Sequence, residues 1–204
     1  MSSIFSDPFF RRGSTLLTGE AIELDDASNP IAGGEVVGQV KAFQDILPTG
    51  SGERYSNRLC YCVAARYKGA DVSDASTVAG EVYAFDAAKN LTEFTSKATM
   101  ANANAELLYG VLDEHLTGKL RTNDIVWLVV KGPTQIKQTA SAINAGSSVQ
   151  VASSAAGSIA VKSSTNKSVG NVIGYIDATT GVLTHGNTPA SAQKVRVNLT
   201  SNAI

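Results

Sequence analysis

Between Asn123 and Leu199 the chain repeatedly makes a short run of Val and Ile, stops at a glycine or a polar turn, and starts again. That rhythm predicts β structure, because short apolar runs bounded by turn residues fit strands better than helices. Asp124-Ile-Val-Trp-Leu-Val-Val-Lys131 is apolar on both faces, which predicts a central strand that Gly132-Pro133 should end. Residues 148–152, 158–162 and 171–176 follow as short strands, punctuated by Gly146, Gly157 and Gly170. Lys194-Val-Arg-Val-Asn-Leu199 alternates strictly. The alternation places Val195, Val197 and Leu199 inward and Lys194, Arg196 and Asn198 outward.

Upstream, strand signals lie at residues 35–43, 59–65 and 78–85, and the Gly-, Ser- and Asp-rich stretches 48–57 and 68–77 read as loops. Leu107, Leu108, Val111, Leu112, His115 and Leu116 recur at spacings of three and four. This favours an amphipathic helix with Gly110 as a weak point, the alternative being a strand through residues 107–112. Residues 1–34 lack periodicity, contain Pro8, Pro30 and Gly33-Gly34, and carry the cluster Phe5, Phe9, Phe10, Arg11 and Arg12. An extended arm fits better than a packed element. The arm is either a tail without fixed structure or a segment that docks on a neighbouring subunit. Burying a phenylalanine is worth about 1.5–3 kcal/mol, so the three of them favour docking. The expected fold is mainly β: a small β-barrel or β-sandwich with an extended N-terminal arm over 1–34 and one short helix. The β-rich part, 35–204, is one domain or two subdomains, 35–120 and 121–204.

Composition narrows the function. The chain has 204 residues, 17 basic and 18 acidic, for a formal net charge of -1. A protein whose main task is to neutralise phosphates is unlike this, so direct nucleic-acid binding is not expected. Only 17% of residues are charged, while Ala, Ser, Thr, Gly and Asn are abundant. Small, weakly hydrated side chains must cover much of the surface, and such surfaces suit close contact with other protein. No apolar run approaches the roughly 20 residues that span a bilayer, and no signal peptide is readable at the start, so no membrane partner is expected.

Candidate chemistry is sparse. Cys60 and Cys62 lie two apart and fall on one face of a strand, a poor geometry for a disulfide and too few ligands for zinc. They read as small buried apolar residues of a chain assembled in a reducing cytoplasm. His115 reads as a partly buried structural side chain and His185 as a loop residue, neither in a metal-binding pattern. The carboxylate pairs Asp25-Asp26 and Asp113-Glu114 sit in no Ca²⁺ loop and read as solvated surface. No phosphate-cradling Gly-rich loop is present, and the glycines near 132, 146, 157, 170 and 174 read as turn residues at strand ends. The expectation is therefore a non-enzyme with no catalytic residues, no metal and no cofactor.

One stretch carries a family resemblance. The strand ending in Val129-Val-Lys-Gly-Pro133, then Ala142-Ile-Asn-Ala-Gly146, Ser153-Ser-Ala-Ala-Gly157, Val172-Ile-Gly174 and a closing strand at 195–199 resemble the capsid decoration, or cement, proteins of tailed bacteriophages. The resemblance covers about the C-terminal 80 residues and rests on the order and spacing of these elements. It implies a small β-barrel or sandwich that assembles as a homotrimer on the outside of an icosahedral head. There it would lock neighbouring major capsid proteins together, with no catalytic residues to carry over and with assembly in the host cytoplasm. The long N-terminal half departs from the compact members. The alternatives are a head-fibre or tail adhesin-type binding module, in which Trp127 and Tyr109 would line an exposed stacking platform, and, more remotely, a hydrolase.

Overall fold

Valine, isoleucine, tyrosine and phenylalanine crowd the alternating runs, and in the computed structural model those runs pair into one large mixed sheet. Residues 37–46, 54–86, 92–99, 109–139, 142–163, 165–177, 182–184 and 194–200 are described. Their strands are β1 (Val40–Ile46), β2 (Arg54–Tyr67), β3 (Val82–Phe85), β4 (Glu93–Lys97), β5 (Tyr109–Leu112), β6 (Ile125–Lys137), β7 (Ser148–Val151), β8 (Ile159–Val161), β9 (Gly170–Ile176), β10 (Leu183–Thr184) and β11 (Lys194–Leu199). The one helical element among the described residues is a 3-10 turn, Ala75–Thr77, capped by the Asp74 carboxylate accepting from the Ser76 N–H. The mainly β class expected from the sequence is thus what the chain adopts. The arm expected over 1–34 lies outside the described residues.

The strands run in the order β1-β2-β4-β3-β5-β6-β11-β9-β7-β8, with β10 paired to β9. An additional β2–β6 ladder, from Tyr61 opposite Lys131 to Arg66 opposite Ile125, closes a hydrogen-bonded circuit through β2, β4, β3, β5 and β6. The β2–β4 pairing is parallel and the rest of the circuit antiparallel. Side chains alternate across the circuit strands, so β2, β3, β5 and β6 each feed two cores, while β4 feeds one. One core takes Val63, Ala65 and Tyr67 of β2, Tyr83 and Phe85 of β3, Phe94 of β4, Leu112 of β5 and Val126, Leu128 and Val130 of β6. It draws on all five strands of the circuit and on no strand outside it, and Tyr67, Tyr83 and Phe94 meet there at ring centroids 5.1–6.4 Å apart. The other core takes the opposite faces, including Cys60, Cys62 and Trp127, and continues under β7, β8, β9 and β11. The sheet therefore runs without a break across residue 120, where β6 pairs with β2, β5 and β11.

Three elements differ from expectation, the simplest being that β2 already begins at Arg54, inside the stretch 48–57 read as a loop. Gly132-Pro133 does not end the central strand, because β6 continues to Lys137. Instead the strand bends and changes partners: β2 lies beside it up to Lys131, and β11 pairs with it from Gly132 onward. A register shift on the β2 ladder, where Tyr61 faces Lys131 and Cys62 faces Val129, marks a bulge, which sharpens twist and re-aims a strand. Gly132 completes the bend at φ +92°, pressed so near the Leu59 carbonyl that no side chain would fit. The third difference is at 109–116, where no helix forms: β5 is a strand and residues 113–116 are a turn. All four β5 residues are buried, so the segment has no polar face for an amphipathic helix to present to water. Leu116, which supplied the helical spacing, is buried from the turn instead.

Candidate functional site

Cys60 and Cys62 behave as read from their spacing: neither is in a disulfide, both are buried on one face, and the Cys60 thiol donates to the Phe43 carbonyl at 3.4 Å. His115 is half-buried in the turn after β5. His185, Asp25-Asp26 and the arm residues Phe5, Phe9, Phe10, Arg11 and Arg12 lie outside the described residues. The reading of Asp113-Glu114 as solvated surface is overturned, since both are buried. So is the outward placement of Arg196, which is 1% exposed. Gly170 and Gly174 are not turn residues either: both are paired within β9 against β11.

The charged groups that the sequence placed on the surface meet inside. Arg196 stands in β11 opposite Gln135 of β6 and Gly174 of β9, with its side chain on the face away from Val195 and Val197. Its Nη1 donates to Glu114 Oε1 at 2.8 Å, and its Nη2 pairs with Asp45 Oδ1. Glu114 reaches this position because the chain turns tightly after β5. The Asp113 N–H donates to the Trp127 carbonyl at 3.2 Å, and the His115 N–H donates to Asp113 Oδ1 at 3.2 Å. Asp45 arrives from the end of β1. Three elements distant in sequence are thus joined by one guanidinium, whose planar fork of donors can serve two carboxylates at once.

A second cluster lies around Glu81, just before β3. Its carboxylate is 1% exposed and accepts from Lys97 Nζ at 2.8–3.0 Å and from Lys137 Nζ at 2.9 Å. Tyr83 O–H makes a longer 3.5 Å contact to the same carboxylate. Lys97 stands directly opposite Tyr83 across the β3–β4 ladder, and the Lys137 N–H donates to the Gly80 carbonyl, so both ammonium groups are delivered by strand register. The lysine stems lie along the sheet with their heads near solvent. Burial, followed by the negative charge of Glu81, raises the Tyr83 hydroxyl far above the usual tyrosine range. Lys194 is linked electrostatically to both clusters. Burial lowers its pKa, the carboxylate of Glu114 opposes that shift, and Lys137 adds to it.

These carboxylates are clamped by cations, and an acid or base held this way has little freedom to exchange a proton with a substrate. Among the described residues no group of three or more His, Cys, Asp or Glu side chains could hold a metal ion. The arrangement is suited to tying elements together. Sequence reasoning missed Asp45, Glu81, Glu114 and Arg196 because alternation reports which residues share a face, and says nothing of whether the second face is also covered. Comparison of the chain with protein-family models, curated proteins and solved structures finds no match.

Proposed function

We propose that this chain is a virion structural protein: a capsid decoration, or cement, protein that binds the outer surface of an icosahedral phage head. It would act as a homotrimer and stabilise contacts between major capsid proteins, without an enzymatic role and without metal or cofactor. The observation that carries this reading is where the charge goes. In a chain with only 17% charged residues, Asp45, Glu81, Glu114 and Arg196 are drawn inward as ion pairs. A surface depleted of charge and rich in small side chains is what a broad protein contact favours, since charged residues are scarce at interface cores. A large continuous sheet with two cores is a rigid body to place on such a contact. The adhesin reading needs Trp127 and Tyr109 on an exposed platform. Trp127 is 1% exposed and packs edge-on against Phe43, while Tyr109 is 3% exposed and donates its hydroxyl to the Val169 carbonyl.

The test is addition to particles. Purified protein should sediment as a trimer and co-sediment with heads that lack it, raising their resistance to heat. A monomer that leaves such heads unbound would overturn the proposal.

A further inference from the structure

We propose that the Arg196–Asp45–Glu114 ion triad is an acid-released latch on strand β1, holding it to the sheet at neutral pH and letting it go when the two carboxylates are protonated. The inference does not depend on the capsid reading. It starts from the β1–β2 ladder, which is regular from Val40 opposite Val63 to Gln44 opposite Leu59 and then shifts, so that Ile46 faces Arg54. Asp45 sits at that break. Beyond Gln44 the backbone pairing is irregular, and the side chain of Asp45 ties the end of β1 to β11. Within the sheet β1 is also a terminal strand, with β2 as its only partner among the described strands. Glu114, by contrast, belongs to the turn between β5 and β6, both inside the closed circuit.

Acid changes the balance at one place. The charged and titratable groups on the elements that meet at Arg196 are Asp45 on β1, Glu114 with its neighbours Asp113 and His115 on the turn, Lys194 on its own strand, Lys137 on β6 and, through Lys137, Glu81 with Lys97. β9 contributes only Gly174 opposite Arg196. Ionised Asp45 and Glu114 hold the guanidinium, so the latch is present above the carboxylate range and lost as pH falls through it. Once both are neutral, Arg196 is a buried cation with Lys194 on its own strand and Lys137 across the β6–β11 ladder. Water must reach the guanidinium. The strand that can move aside at least cost is β1, a terminal strand whose ladder is already broken at Asp45.

Hydrogen exchange on the full chain tests this. Exchange is followed by mass spectrometry between about pH 7 and about pH 2, a span that runs below the carboxylate range even where a guanidinium lowers it, and is corrected for the intrinsic pH dependence of amide exchange. Residues 40–46 should lose protection on the order of a hundredfold, as expected for a buried charge left without its partner, while residues 125–131 of β6 keep theirs. The variant Asp45→Asn/Glu114→Gln/Arg196→Met should abolish that pH dependence if it folds. Simultaneous loss at 40–46 and 125–131, or no loss at 40–46, overturns the latch from the unaltered protein alone. A folded triple variant that still opens at 40–46 in acid also overturns it, pointing to Glu81 instead.

Discussion

Arg196 and Val197 are neighbours on β11 that face opposite sides, and both sides are closed. Val197 is fully buried in the core shared with β6 and β9. An aspartate there would be a carboxylate in an apolar interior with no partner. At Arg196 an aspartate would remove the guanidinium and leave Asp45, Glu114 and the new carboxylate together. Removing one partner of a buried pair costs about 3–5 kcal/mol, a large share of the roughly 5–15 kcal/mol that holds a domain folded. Val197→Asp and Arg196→Asp are therefore both expected to abolish folding, as read by circular dichroism and solubility. Arg196→Lys, which keeps the charge and loses the two-pronged fork, should fold with lower stability. An Arg196→Asp variant that melted like the parent would show the triad to be dispensable.

At the scale of elements, β6 is the strand on which the fold turns, since its first half belongs to the circuit and its second half to the ladder with β11. The bend between them depends on the chain passing Gly132 at positive φ hard against the Leu59 carbonyl. Gly146 also has positive φ, +82°, but a Cβ there would meet nothing within 4 Å. The two positions separate conformational strain from collision. Gly146→Ala should cost about 1–2 kcal/mol, the left-handed penalty alone. Gly132→Ala should cost clearly more, because the atom in the way is backbone of β2 and cannot swing aside. Chemical denaturation of the two variants measures the difference, and equal losses would mean that the bend does not need the close approach.

At the scale of the whole molecule, the question is what the first residues do. Phe5, Phe9 and Phe10 lie outside the described residues, and their apolar character in the sequence is what motivates the proposal of a docking segment. Under the proposed capsid role, these side chains would dock on another subunit or on the capsid, with Arg11 and Arg12 adding salt-sensitive contacts to acidic groups. A segment of about 30 residues can reach up to roughly 100 Å when extended, enough to pass a neighbouring subunit. If the chain acts as proposed, deleting residues 1–12 should leave the sheet folded and weaken capsid attachment or trimer stability. Protease should trim the segment faster from free protein than from assembled particles. Equal co-sedimentation of truncated and full-length protein with capsids would rule out a docking role.

The sequence by itself determined the mainly β class, the positions of β7, β8, β9 and β11, and the burial of Cys60, Cys62, Trp127, Val195, Val197 and Leu199. Each follows from local alternation and turn residues, which act over a few positions. The tertiary structure decided the rest. Gly132-Pro133 became a bend rather than an end because β2 and β11 flank β6 in succession. Tyr109–Leu112 became a strand because β3 and β6 pair with its two edges while a core covers each of its faces. Arg196 went inward because Asp45 and Glu114, 151 and 82 residues away by number, converge on it. A period of two tells which side chains point together, and only the assembled sheet tells whether what they meet is water or a pair of carboxylates.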